Sequence, residues 1–89
     1  MEIIATTPQH LFTYKSLQIS KFILNKGEGL PKHEHKFNHL TMCVLGSCVI
    51  RKENIEIVLR SNNNAIDLIA NQWHEIEALE DNTVIINIE

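Results

Sequence analysis

From Leu17 onward, apolar and polar residues alternate with a period of two, in short runs separated by turn-forming residues. A strand sends successive side chains to opposite faces, whereas a helical stripe recurs every three or four residues. No window carries the helical stripe, so the sequence predicts a core built from strands alone. The expected strands are Leu17 to Leu24, Leu30 to His35, His39 to Leu45, Cys48 to Lys52, Ile55 to Arg60, Ala65 to Ile69, Trp73 to Ala78 and Thr83 to Ile88. Each is rich in Ile, Val, Leu or Thr.

The spacers have turn chemistry: Asn25-Lys26-Gly27, Gly46-Ser47, Glu53-Asn54, Ser61 to Asn64, Asn71-Gln72 and Glu80-Asp81-Asn82. Asparagine and glycine tolerate positive φ and reverse the chain at low cost. Ahead of these strands, Ile3 and Ile4 are a candidate edge strand, which Pro8 interrupts. Many short, evenly spaced strands predict an all-β sandwich or jelly-roll barrel. A chain of 89 residues has room for one core, so residues 1–89 are expected to form one domain, with the barrel from about residue 17. A domain this small gains stability by covering an apolar sheet face with a second copy, and a homodimer is expected. The outward residues Leu40, Met42 and Val44, joined by Val49, are the expected contact stripe.

Four of the five histidines occur at spacings that metal chemistry can use. PKHEHKFNHL supplies His33, His35 and His39, and NQWHEIEAL supplies His74; His10 stands apart and is expected at the surface. On a strand His33 and His35 share a face while Glu34 points away. If Lys36-Phe37-Asn38 is a hairpin connection, His39 lies opposite His35 on the returning strand, close enough for both rings to share one ion. His74 shares a face with Ile76 and Ala78, which aims it inward and sends Glu75 and Glu77 toward water. Taken alone, His74 fits a hydrogen-bonded core histidine as well as a ligand.

Cys43 and Cys48 flank Gly46-Ser47. A two-residue hairpin there would leave them diagonal, about 7 to 8 Å apart at the α-carbons, too far for a disulfide. Reduced, buried thiols are expected. A Cys43 nucleophile with His39 as base is disfavoured, because four residues of one strand span about 13 Å.

The net charge is −3 and the basic residues are scattered, which argues against a nucleic-acid partner. No segment approaches the roughly 20 apolar residues of a membrane span, and the first residues lack a basic stretch leading into a long apolar run. No membrane association and a cytoplasmic location are expected.

With these residues in view, the chain resembles the cupins. The first cupin motif runs G-x5-H-x-H-x3 or x4-E-x6-G, and Gly27, His33, His35 and Gly46 match it at the right spacings. His39 stands where the family usually has glutamate. The second motif, G-x5-P-x-G-x2-H-x3-N, keeps only His74, with Asn63, Ile69, Asn71 and Ala78 at its other fixed positions. The resemblance covers about Leu17 to the end. It implies a double-stranded β-helix with one divalent transition-metal ion (Fe, Mn, Ni, Cu or Zn) held by His33, His35, His39 and His74 in the barrel mouth. Four neutral imidazoles leave the ion's charge uncompensated and favour anionic ligands.

An apolar cup of Leu24, Thr41, Cys43, Ile76, Ala78 and Ile86 is expected around the ion, sized for a small molecule. The resemblance implies a metal-dependent enzyme, either dioxygenase-like or a Lewis acid acting on a small keto, enol or carboxylate substrate. The alternatives are a non-catalytic metal- or ligand-sensing module, and a cupin whose histidines are hydrogen-bonded without metal. Fold alone does not choose among them.

Overall fold

The computed structural model describes residues 2–62 and 65–89; Asn63 and Asn64, at the end of one expected turn, lie outside the described residues. The described residues form ten strands: β1 (Ile4–Ala5), β2 (Gln9–Tyr14), β3 (Leu17–Leu24), β4 (Glu28–His33), β5 (His39–Leu45), β6 (Ser47–Lys52), β7 (Ile55–Arg60), β8 (Ala65–Leu68), β9 (His74–Ala78) and β10 (Thr83–Ile88). They form two five-stranded sheets, ordered β1-β4-β9-β6-β7 and β2-β3-β10-β5-β8. All pairings are antiparallel except β1 with β4. Every expected strand is present, with ends shifted by two residues or fewer, and among the described residues there is no helix.

The chain crosses between sheets at almost every connection; among the described residues only β2–β3 and β6–β7 are hairpins, turning at Lys15-Ser16 and Glu53-Asn54. Lys15 and Asn54 take positive φ there. This winding of short strands around one core is the expected jelly roll.

Two sequence expectations fail on this topology. Gly46-Ser47 is not a hairpin, because β5 and β6 belong to different sheets and Gly46 carries the chain across. A side chain on Gly46 would meet Thr83, since its ideal Cβ lies 2.5 Å from Thr83 Oγ1, and its φ is +77°. Lys36-Phe37-Asn38 is not a hairpin either; it crosses from β4 to β5, again between sheets.

The core between the sheets comprises Phe22, Leu24, Cys43, Cys48, Ile50, Leu59, Leu68, Ile76, Ala78 and Ile85. The outer faces differ sharply. On the first sheet Arg51 sits among Glu77 (2.9 Å), Glu75 (3.6 Å) and Glu56 (3.6 Å). On the second sheet the outward positions are mostly apolar: Phe12 and Tyr14 on β2; Leu17, Ile19 and Ile23 on β3; Val84, Ile86 and Ile88 on β10; Leu40 and Met42 on β5. Phe12, Tyr14, Leu17 and Ile23 are exposed, as is Val44. Val49 does not belong to this stripe: it lies on β6 of the other sheet, between Val58 and Glu77, and is buried.

Candidate metal centre

The four predicted histidines meet at one end of the sandwich, by a route the sequence did not show. His33 ends β4 and His74 begins β9, and the two are register partners on neighbouring strands. His39 begins β5 in the opposite sheet and is buried. His35 lies in the crossing that joins those sheets. The expected pairing of His35 against His39 across a hairpin is therefore wrong, yet their ring centroids are 4.5 Å apart because the crossing returns the chain over the core. His33 lies 4.4 Å from His74 and 4.6 Å from His35, and His39 lies 5.3 Å from His74. His10, on β2, is exposed and beside Thr13, outside the cluster.

Backbone contacts hold the cluster in place. His33 Nδ1 donates to the Pro31 carbonyl at 2.6 Å and His74 Nδ1 to the Gln72 carbonyl at 3.2 Å. A carbonyl can only accept, so each ring carries its proton on Nδ1 and turns Nε2 into the cluster, the arrangement a metal-binding histidine requires. The loop bearing His35 is stitched to the segment before His74: Asn71 N donates to the His35 carbonyl at 2.7 Å and Ala70 N to Asn38 Oδ1 at 2.8 Å.

Burial favours the neutral form at His74, His39 and His35. Burial, then the neighbouring His33 and His39, hold the His74 imidazole down at about 4. Burial and then His35 lower His39, with Glu89 opposing. Burial and then His33 lower His35, again with Glu89 opposing. A neutral imidazole presents a lone pair.

Both nitrogens of His39 and Nε2 of His74 are buried without a hydrogen-bond partner. Leaving a buried polar atom unpaired costs about 1–3 kcal/mol, so such atoms mark a place built for a missing partner. An apolar core or hydrogen-bonded histidines would not leave them. Ligand atoms of His33, His35 and His74 lie within 4.8 Å of one another, close enough to hold one ion, and so do those of His35, His39 and Glu89. The donor set is imidazole-rich, which suits Fe, Ni, Cu or Zn.

A cleft of about 420 Å³ opens over His33 and His35, lined also by Pro8, Phe22, Leu30, Pro31, Lys32, Asn87 and Glu89. This differs from the expected cup. Leu24, Thr41, Cys43, Ile76 and Ala78 do point inward, but they are fully packed beneath the site. Ile86 points outward, and the inward residue is Ile85. Asn87 and Glu89 escaped the sequence reading for that same reason, because shifting β10 by one residue exchanges its faces. Asn87 is buried, and its Oδ1 accepts from the Thr41 hydroxyl at 2.7 Å.

Comparison with solved structures places this geometry. A cupin-2 domain protein from Shewanella frigidimarina superposes with a TM-score of 0.81 at 17% identity, covering 93% of this chain and 78% of its own. The fold is the cupin fold. KdgF from a Halomonas species aligns at TM-score 0.82 and 17% identity, covering 91% of this chain and 75% of its own. A protein described as a putative mannose-6-phosphate isomerase, from Ralstonia eutropha, aligns at 0.77 and 22%, covering 92% and 81%. No protein-family model and no curated protein matches the sequence. In this cupin fold the chain carries its histidines at one end of the sandwich and its charged and apolar faces on the outside.

Proposed function

We propose that this cupin binds one divalent transition-metal ion through His33, His35, His39 and His74, and that it is a metal-dependent enzyme acting on a small keto, enol or carboxylate molecule in the adjoining cleft. The observation that carries the reading is the set of buried, unpartnered nitrogens on His39 and His74 beside two further imidazoles. When bound, the ion supplies Lewis acidity toward a substrate oxygen or redox chemistry.

The protein's own residues do the rest. Pro31 and Gln72 carbonyls orient two of the rings. Phe22, Leu30 and Pro8 give the cleft an apolar wall. Asn87, its oxygen engaged by Thr41, has its amide nitrogen left to donate to a substrate oxygen. Lys32, held 4.4 Å over the Trp73 ring, puts a positive charge at the rim for an anionic ligand. The cleft volume falls in the range of small-molecule sites.

Anaerobic Fe(II) loading followed by oxygen uptake with small diketones and keto acids tests the enzyme reading. Uptake above that of free iron, abolished in His74→Ala, supports dioxygenase chemistry. Saturable ligand binding without turnover makes the protein a binding or sensing module instead.

The surface supports a second copy as partner. The outer face of β2-β3-β10-β5-β8 is mostly apolar, with Phe12, Tyr14, Leu17 and Ile23 exposed, and a contiguous exposed apolar surface of this kind is a candidate interface. It carries little charge to repel an identical face, unlike the Arg51–glutamate face opposite. Unpaired buried thiols at Cys43 and Cys48 support a reducing compartment such as the cytoplasm. No helix of the described residues is long and apolar enough to cross a membrane.

A further inference from the structure

We propose that the Glu89 carboxylate is a fifth ligand of the same metal ion, reaching it from the end of β10 beside His35 and His39; this rests on the metal-binding reading above. Ligand atoms of His35, His39 and Glu89 lie within 4.8 Å of one another, so the carboxylate forms a second triad that shares His35 with the His33-His35-His74 triad. His35 belongs to both triads, and the proposal is that a single ion takes ligands from each.

Four further observations point the carboxylate at a metal. His39 is 4% exposed, and neither ring nitrogen has a hydrogen-bond partner, so the buried member of this triad is itself waiting for a ligand. Glu89 continues the inward parity of β10 set by Thr83, Ile85 and Asn87, all buried, and with Asn87 it lines the cleft over His33 and His35. Its backbone is fixed in place by paired hydrogen bonds with Gln18, at 2.6 and 3.0 Å. Among the described residues, Glu89 is in no salt bridge, so no lysine or arginine competes for it.

Charge gives the reason for such a ligand. Four neutral imidazoles leave a divalent ion's charge uncompensated in a partly buried site, and one carboxylate offsets half of it. Hard oxygen and borderline nitrogen donors together also favour iron or manganese over a thiophilic metal.

Co(II) is a suitable probe, because its visible absorption reports the ligand set directly. Chelator competition gives the affinity of the wild-type chain, Glu89→Gln and the control Glu34→Gln, whose carboxylate is exposed and belongs to neither triad. Glu89 is exposed, so its substitution leaves the fold intact. The expected result is an affinity loss of about tenfold or more in Glu89→Gln with a changed Co(II) spectrum, and no change in Glu34→Gln. An unchanged spectrum in Glu89→Gln overturns the proposal, whether affinity holds or falls, since a fall alone reports only through-space charge. If the wild-type chain binds no Co(II), the metal-binding reading itself fails. Binding by wild type with identical behaviour in Glu89→Gln removes only the fifth ligand.

Discussion

His33 and His74 are register partners across β4 and β9, and each ring donates Nδ1–H to the carbonyl two residues before it, Pro31 and Gln72. The two strands thereby present matched Nε2 atoms to one point, while His39 approaches from the opposite sheet. Preorganisation of this kind means the metal-free protein already bears the cost of holding neutral, crowded imidazoles.

That cost has a pH dependence. The His74 imidazole titrates at about 4 in the folded chain, against about 6.5 when unfolded. Between those values the unfolded chain takes up a proton that the folded chain refuses. Stability of the metal-free protein is therefore highest above pH 6.5 and falls as pH drops toward 4, by on the order of 3 kcal/mol from His74. His35 and His39, also lowered, act in the same direction. Urea midpoints of the metal-free protein at pH 7 and pH 5 check this, and His74→Gln should flatten the difference. Equal midpoints in the wild-type chain would contradict it.

The histidine cluster and the all-β fold were legible in the sequence because parity and spacing are local properties. The route by which the histidines meet was not. Gly46-Ser47 and Lys36-Phe37-Asn38 have the composition of hairpin turns, and nothing local distinguishes a hairpin from a crossing between sheets. The β2 strand was missed because QHLFTY comes just after Pro8 and is exposed throughout, so burial leaves no strong alternation there. Reading β10 one residue out of phase hid Asn87 and Glu89. The polar Asn87 opposite Thr41 on β5 was the available signal, since an inward asparagine needs an inward partner.

Gly46 is required by the crossing from β5 to β6. In Gly46→Ala the new methyl group would be forced against Thr83, at a backbone angle unfavourable to alanine. A loss of about 2 kcal/mol or more is expected in urea denaturation. Wild-type stability in Gly46→Ala would show that the crossing relaxes freely.

The thiols should be inert in the folded protein. Burial, reinforced by Cys43, pushes the Cys48 thiol up to about 12, and burial likewise raises Cys43, whose Sγ donates to the Leu45 carbonyl. Thiolate is the reactive form. Titration with an aromatic disulfide should report two thiols only after denaturation. Rapid reaction in the native state, or a protected pair without reductant, would contradict this.

Sedimentation equilibrium should give a dimer at micromolar concentration. Met42→Glu, or Ile23→Glu at a position already more than half exposed, should shift it toward monomer while leaving metal content unchanged. A wild-type monomer would remove the second copy from the account.

The central claim is tested most directly by metal content per chain, measured after Co(II) loading and removal of free ion, in the wild-type protein and in single alanine variants. One ion per wild-type chain is predicted, held at least about tenfold more weakly in His33→Ala, His35→Ala, His39→Ala and His74→Ala. His10→Ala should match wild type. Absence of bound ion in the wild-type chain, or full and equally tight occupancy in His35→Ala and His39→Ala, would contradict a metal centre built from these histidines.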